Sequence, residues 1–215
     1  MMDRPARMKR RDERASAYTH GIGMVCSLGA LALLAEAGIS HGTVWHIVSA
    51  SVYGLTLVMM FAISAIMHSA PEGERKTWLT MADHMSIYVF IGGNCTPFLL
   101  VYMRNEFGWK LLGAIWGTAI AGIIWKRFYT GRYIWISTLG YLAMGWLIVA
   151  AWPELSAVLP PAGLVLLVCG GIIYTAGIVF FVWEKLPYHH TIWHLFVLAG
   201  AGLHFVCIYR YVLLG

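Results

Sequence analysis

The chain contains long runs of apolar residues that carry almost no charge, and short clusters of charged residues separate these runs. A bilayer core about 30 Å thick takes about 20 apolar residues per helix, so the runs are long enough to cross it. The composition agrees with this interpretation, because 60% of the 215 residues are hydrophobic and only 12% are charged. A soluble domain normally has about 25% charged residues. The pattern therefore predicts an all-α integral membrane protein.

Breaks at charged residues, prolines and glycines divide the chain into seven predicted spans, and thus predict a seven-transmembrane helix bundle. The spans are residues 16–37, 43–67, 81–102, 108–125, 133–151, 162–183 and 191–214. Residues 1–15 are predicted to form a basic cytoplasmic N-terminal tail, and residues 16–215 the transmembrane domain. The basic start followed by an apolar run resembles a secretory signal, but no convincing small-x-small cleavage site follows and more spans come after it, so we interpret this run as a retained first span.

The positive charges indicate an orientation for this bundle. If the N-terminus is cytoplasmic, twelve of the fifteen basic residues lie on the cytoplasmic side. These are Arg4, Arg7, Lys9, Arg10, Arg11, Arg14, Arg75, Lys76, Lys126, Arg127, Arg132 and Lys185. This positive-inside pattern predicts a cytoplasmic N-terminus and a C-terminus outside. A basic inner face beside anionic lipid also explains the net charge of +5 without a nucleic-acid partner.

Ionisable side chains at membrane depth are costly, so each of them is a candidate functional residue. His68 ends the second span, and Asp83 begins the third. His190 and His194 begin the seventh span, four residues apart. Ser64 lies one helical turn from His68 on the same face. The predicted topology brings these three imidazoles, one carboxylate and one hydroxyl to the same leaflet.

This set of side chains fits a zinc site. The imidazoles of His68, His190 and His194 leave the fourth tetrahedral position for water, as in catalytic zinc sites, although other divalent metals also accept such ligands. Asp83 would orient the water or take its proton, and Ser64 would hydrogen-bond the water or a developing oxyanion. Each residue also has a simpler interpretation. His68 would be interfacial, Asp83 a helix N-cap, and Ser64 a small residue at a helix contact.

The other histidines support weaker predictions. His189 points about 100° away from its neighbour on a helix, so we interpret it as facing the headgroups. His84 is expected to be interfacial or to lie behind the site. His20 lies near the inner side as well, and a contact with the site is one interpretation of it. His41 and His46 belong to the outer loop region and are expected to have no specific role.

His204 lies ten residues beyond His194, which is about 15 Å along a helix and too far to bind the same ion. We expect it to form an internal hydrogen bond with Asn94 or Tyr88 of the third span. The cysteines all lie in apolar runs without CxxC spacing, which predicts buried thiols and no disulfide framework. They are Cys26, Cys95, Cys169 and Cys207.

Four stretches resemble one family: ERASAYTHGIGMVCSLG, SAIMH, ADHMSIYVFIGGNCTPF and HHTIWHLFVLAGAGLH. In this order they resemble the hemolysin III proteins, the bacterial branch of the progestin and adipoQ receptor (PAQR) family, over nearly the whole chain. The resemblance places the family's S-x-x-x-H on Ser64 and His68, its aspartate on Asp83, and its H-x-x-x-H on His190 and His194. It implies that the three histidines bind zinc near the cytoplasmic side, while the aspartate and serine contact the zinc-bound water.

The chain departs from the family pattern at Cys95, where bacterial members tend to have a tyrosine before TPF; this departure concerns local packing and leaves the ligands unchanged. The resemblance implies a multi-pass protein of a bacterial inner membrane that acts on or senses membrane lipids. The leading hypothesis is zinc-dependent hydrolysis of an acyl lipid such as an amide, as in ceramidases. The alternatives are a lipid-responsive regulator with structural zinc and a pore-forming cytolysin. Faces of small residues would permit an oligomer.

Overall fold

The chain is helical, as the apolar runs predict. The computed structural model describes residues 4–215, except for the side chains of residues 4–7 and 41, and no strand occurs in that range. The α-helices are α1 (Arg4–His41), α2 (Val44–Ser69), α3 (Glu74–Tyr102), α4 (Glu106–Tyr129), α5 (Ile134–Trp146), α6 (Trp152–Val158), α7 (Pro161–Val182) and α8 (His189–Ile208). A 3-10 segment, Leu147–Ala151, joins α5 to α6, and a π-helical segment, Tyr209–Leu213, extends α8.

Seven helical segments in the described range are long and apolar enough to cross a membrane, which confirms the predicted number of spans. Several boundaries differ from the sequence prediction; the third span, for example, begins at Glu74 and not at residue 81. Residues 4–15, assigned above to a tail, continue into the first span as one helix. The fifth span continues past residue 151 to Val158, because Pro153 lies in the first turn of α6, where its missing N–H is tolerated.

Local signals explain where several helices begin. Asn105 precedes α4, and its Oδ1 accepts a hydrogen bond from the backbone N–H of Gly108 at 2.8 Å, which satisfies a free amide of the first turn. α7 begins at Pro161, whose fixed φ suits a first helical position. Tyr188 has a φ of 58°, which is unusual for a residue with a Cβ. The chain therefore turns sharply just before α8.

α3 lies at the centre of the bundle. It packs against α2 and α4, with smaller contacts to α5, α6 and α8, and a larger share of it is buried than of any other span. A Cβ at Gly93 would collide with Thr56 of α2, so these two helices approach closely. α1 packs along α2 and α8, and α7 packs along α8. The last turn of α2 and the first turns of α3 and α8 thus meet beside the N-terminal part of α1, at an end that we call the histidine end.

Some minor sequence expectations were wrong. His46 has a specific role, because its Nδ1 accepts a hydrogen bond from the backbone N–H of Thr43 at 3.1 Å and so caps α2. The side chain of His41 lies outside the described residues. All four cysteines are free, as predicted, but only Cys95 and Cys207 are buried, whereas Cys26 and Cys169 lie on the outer surface of the bundle.

Candidate metal centre

Three histidines from two helices meet at the histidine end. His190 and His194 lie one turn apart on α8, and His68 lies in the last turn of α2. Their ring centroids are 4.7 to 4.9 Å apart, and one ring nitrogen from each lies within 4.8 Å of the other two. His68 and His194 are buried, and His190 is half-buried. The structure thus brings together the three histidines that the sequence analysis selected.

The free ring nitrogens of this cluster fit a metal ion. His68 Nδ1 lies 3.3 Å from Glu13 Oε2, and His194 Nδ1 lies 3.3 Å from the carbonyl oxygen of Ser16. Because both oxygens accept hydrogen bonds, Nδ1 of each ring carries a hydrogen, and Nε2 is the nitrogen that a neutral form of the ring offers to a metal. Nε2 of His68 and of His190 is buried and has no partner in the described part of the chain. Such an arrangement is typical of metal-binding histidines.

The N-terminal part of α1 orients these rings, and the sequence analysis did not identify this role. Glu13 Oε2 contacts both His68 and the ammonium group of Lys76, the latter at 2.5 Å. Thr19 Oγ1 lies 3.3 Å from His194 Nδ1, beside the Ser16 carbonyl. Glu13, Ser16 and Thr19 recur every three residues and thus share one helical face. This polar repeat within ERASAYTH could have indicated that α1 contacts the histidines, but Glu13 lies in the segment predicted to be a tail.

Two further contacts hold α1 against α8. Asp12 Oδ1 accepts hydrogen bonds from the backbone N–H of Thr191 at 3.2 Å and from its hydroxyl at 2.5 Å, which caps the first turn of α8. His20 stacks on His194 with a centroid distance of 3.4 Å. A contact of His20 with the site was one of the interpretations that the sequence left open. His189 is half-buried, and its Nδ1 lies 3.2 Å from the Phe180 carbonyl oxygen, so it joins α8 to α7 instead of facing headgroups.

Asp83 and Ser64 lie close to this cluster but do not belong to the three-nitrogen group. Both are buried, and both line a cavity that His190 and His194 also line. The Ser64 hydroxyl lies next to the Asp83 carboxyl group. A hydroxyl and a carboxyl group therefore line the cavity together with the α8 histidines.

The cavity has a volume of about 150 Å³ and extends from the histidine end into the bundle between α3, α5, α7 and α8. Its walls are largely apolar, and its deepest polar residues are Asn94 and His204. Trp146, Val149 and Trp152 line it and are also exposed on the outer surface of the bundle. These three residues thus have one side towards the cavity and another towards the outer surface of the bundle.

A buried lysine stands beside the cavity and was not expected there. Lys126 is only 1% exposed, and its Nζ lies 3.5 Å from His84 Nδ1 and 6.0 Å from the ring centroid of Tyr141. An ammonium group only donates, so His84 Nδ1 accepts and the ring hydrogen is on Nε2. His84 lines the cavity next to Asp83, which supports the alternative that it lies behind the site.

The deep histidine is paired as the sequence analysis predicted. His204 Nδ1 lies 2.7 Å from Asn94 Nδ2, and His204 Nε2 lies 3.0 Å from the carbonyl oxygen of Leu167. The alternative partner, Tyr88, instead packs against Tyr141 at a centroid distance of 4.4 Å. Asn94, His204 and Leu167 thus connect α3, α8 and α7 within the bundle.

The fold and this cluster define a class: a multi-pass helical membrane protein with three histidine side chains, two buried and one half-buried, at one end of a largely apolar cavity. Comparison with known sequences identifies the family. The family model described as "Haemolysin-III related" matches residues 8–205, so the chain belongs to the haemolysin-III related family, as the four sequence stretches predicted.

The relatives are bacterial and animal proteins. "Hemolysin-3" of Bacillus cereus is 45% identical over 203 residues, covering 94% of this chain and 93% of its own length. The "Hemolysin-3 homolog" of Bacillus subtilis (strain 168) is 41% identical over 201 residues, covering 94% of each chain. The "Monocyte to macrophage differentiation factor" of Homo sapiens is 30% identical over 210 residues, covering 94% of this chain and 84% of its own.

Proposed function

We propose that this protein is a zinc-dependent hydrolase of the bacterial inner membrane that cleaves an acyl lipid, such as a lipid amide, at the histidine end of its cavity. The observation that carries the proposal is the cluster of three histidines, in which Nε2 of His68 and of His190 is buried without a partner among the described residues, next to a cavity that Asp83 and Ser64 also line. Three imidazoles suit zinc and leave one tetrahedral position for a further ligand. The bacterial relatives support the location.

His68, His190 and His194 would hold the zinc ion, which when bound supplies Lewis-acid activation of a carbonyl and of water. The remaining roles fall to groups of the protein. Asp83 accepts the proton of the attacking water and returns it to the leaving amine. Ser64 Oγ donates a hydrogen bond to the carbonyl oxygen as negative charge develops there. The apolar walls hold the acyl chain beside these groups.

The test is release of fatty acid from a ceramide and from a simple fatty-acyl amide by the purified full-length protein. We expect turnover by the wild type and none by H194A. D83N should keep its zinc and lose at least about 100-fold in kcat, since only the proton acceptor is removed. E72A, which changes an exposed carboxylate, is the control. Equal release by the wild type and H194A would overturn the proposal.

A second candidate is a lipid-responsive regulator in which zinc is structural. It is favoured by the way in which the cluster and its α1 partners connect three helices, α1, α2 and α8. Metal binding that joins helices adds directly to stability. In that case zinc removal would lower the thermal midpoint while no lipid product forms. Conductance of pure lipid bilayers after addition of the protein would instead favour the pore-forming alternative.

A further inference from the structure

A second polar group lines the cavity far from the histidine end. His204 lies ten residues beyond His194, which is about 15 Å along α8. Asn94 of α3, Tyr174 of α7 and His204 all line the cavity there. Asn94 is 8% exposed and His204 is 5% exposed. The Tyr174 ring packs edge-on against the His204 ring, with centroids 5.4 Å apart.

The hydrogen bonds of His204 determine which amide atom of Asn94 is free. An imidazolium here would be a buried charge with no carboxylate at salt-bridge distance in the described range, so the ring is neutral. The Leu167 carbonyl oxygen only accepts, so the ring hydrogen is on Nε2 and Nδ1 is the acceptor. Nδ1 therefore requires the Asn94 NH₂ group as its donor. Asn94 Oδ1 is left as a free acceptor.

Two polar atoms of this group are unpaired. Asn94 Oδ1 and the Tyr174 hydroxyl are both buried without a hydrogen-bond partner in the described portion of the chain. Most buried polar atoms are paired, and an unpaired one at membrane depth is costly. Asn94 Oδ1 can only accept, whereas the phenol can donate. A single hydroxyl group on a ligand would satisfy both, by donating to Asn94 and accepting from Tyr174.

Glycines in the surrounding helices leave room for the rings of His204 and Tyr174. A Cβ at Gly170 of α7 would collide with the His204 ring, and a Cβ at Gly200 of α8 would lie 2.8 Å from the Tyr174 ring. Between this group and the histidine end, the cavity wall is formed by side chains such as Phe90, Ile91 and Val197. The cavity thus has a polar group at each end and an apolar middle, which suits a hydrocarbon chain.

We propose that Asn94 and Tyr174 form a subsite for a hydroxyl group in the middle of an acyl chain whose polar head lies at the histidine end. The proposal rests on the proposed function only for the placement of the head. An extended chain advances roughly 1.2 Å per bond, so a span of about 15 Å places the hydroxyl about twelve carbons from the head. The ligand class is an acyl lipid with a mid-chain hydroxyl.

The experiment measures competition of 12-hydroxyoctadecanoic, 2-hydroxyoctadecanoic and octadecanoic acids with labelled octadecanoic acid, bound to the full-length protein in phosphatidylcholine nanodiscs. We expect the 12-hydroxy acid to bind about tenfold more tightly than octadecanoic acid, given two new hydrogen bonds. The 2-hydroxy acid should show no comparable gain. Y174F should reduce the tenfold ratio to below about threefold. Y53F is the matched control, because the Tyr53 hydroxyl is also buried without a partner among the described residues but does not line the cavity.

Equal binding of the 12-hydroxy acid and octadecanoic acid by the wild type would overturn the proposal and indicate that water pairs with these atoms. A ratio that Y174F leaves unchanged, or that Y53F reduces equally, would overturn it as well. H194A separates this proposal from the proposed function. It should abolish hydrolysis and weaken binding of both acids, yet keep their ratio, because the hydroxyl subsite lies about 15 Å away.

Discussion

α8 carries two buried histidine groups ten residues apart, and they differ in how their ring nitrogens are used. At the histidine end, His68 and His194 each turn one nitrogen towards α1, and Nε2 of both His68 and His190 has no partner among the described residues. In the deep group, both nitrogens of His204 are bonded within the protein. A free, oriented nitrogen is available to a ligand, whereas a fully paired histidine joins helices. Burial alone does not distinguish these two uses.

The largest effect is expected from H194A. Removing one of three ligands should lower zinc affinity at least about 1,000-fold, which corresponds to about 4 kcal/mol. Competition with a chromophoric chelator measures the affinity. The matched variant is H204A, which removes the same side chain from the other group and should keep wild-type affinity. Equal loss of zinc from both variants would contradict the distinction between the two groups.

H204A should instead destabilise the fold. It leaves the Asn94 amide and the Leu167 carbonyl unpaired and opens a void beside Gly170, at an expected cost of about 2–4 kcal/mol. Thermal unfolding in detergent, followed by circular dichroism, measures this change. Both the wild type and H204A are treated with a chelator first, so that stabilisation by zinc does not affect the comparison of their midpoints. An unchanged midpoint would show that the deep pair does not hold α3, α7 and α8 together.

A smaller effect is expected from Glu13, which touches the proposed ligand His68 but would not itself contact zinc. E13A should lower zinc affinity by about 10- to 100-fold, the usual effect of removing a group that orients a metal ligand. E13Q should recover part of the affinity, because its amide oxygen still accepts from His68 Nδ1. Cobalt substitution supplies a second readout, since ligand rearrangement in E13A should alter the visible absorption bands. E72A, at an exposed carboxylate, should match the wild type in both measurements.

The sequence was sufficient for the helix count and for the meeting of His68, His190 and His194. Long apolar runs fix the number of spans, and alternation of direction places the two histidine segments at the same end. An internal hydrogen bond from His204 to Asn94 or Tyr88 was also expected, and the structure shows Asn94 as the partner. These features depend on the lengths of the apolar runs and on the positions of polar residues within them, and both can be read from the sequence.

The contribution of α1 could not be predicted in the same way. Because residues 4–15 include many charged side chains, the hydropathy pattern placed the start of the first span at residue 16. The helix begins at Arg4, however, and it brings Glu13 to His68. The hydropathy pattern also does not show which helices are neighbours in the bundle. The burial of Lys126 against His84 depends on contact between α4 and α3. Such contacts depend on how the helices pack, and the sequence shows only which residues are available to form them.

The central claim is that His68, His190 and His194 bind one zinc ion, and zinc X-ray absorption of the purified protein, combined with elemental analysis, tests it most directly. The account predicts about one zinc per chain, with three histidine nitrogens at about 2.0–2.1 Å and no sulfur ligand. It also predicts that H204A gives the same spectrum and that a variant with all three histidines changed to alanine contains no zinc. Absence of zinc from the wild type, or its retention with an unchanged spectrum in the triple variant, would contradict the account.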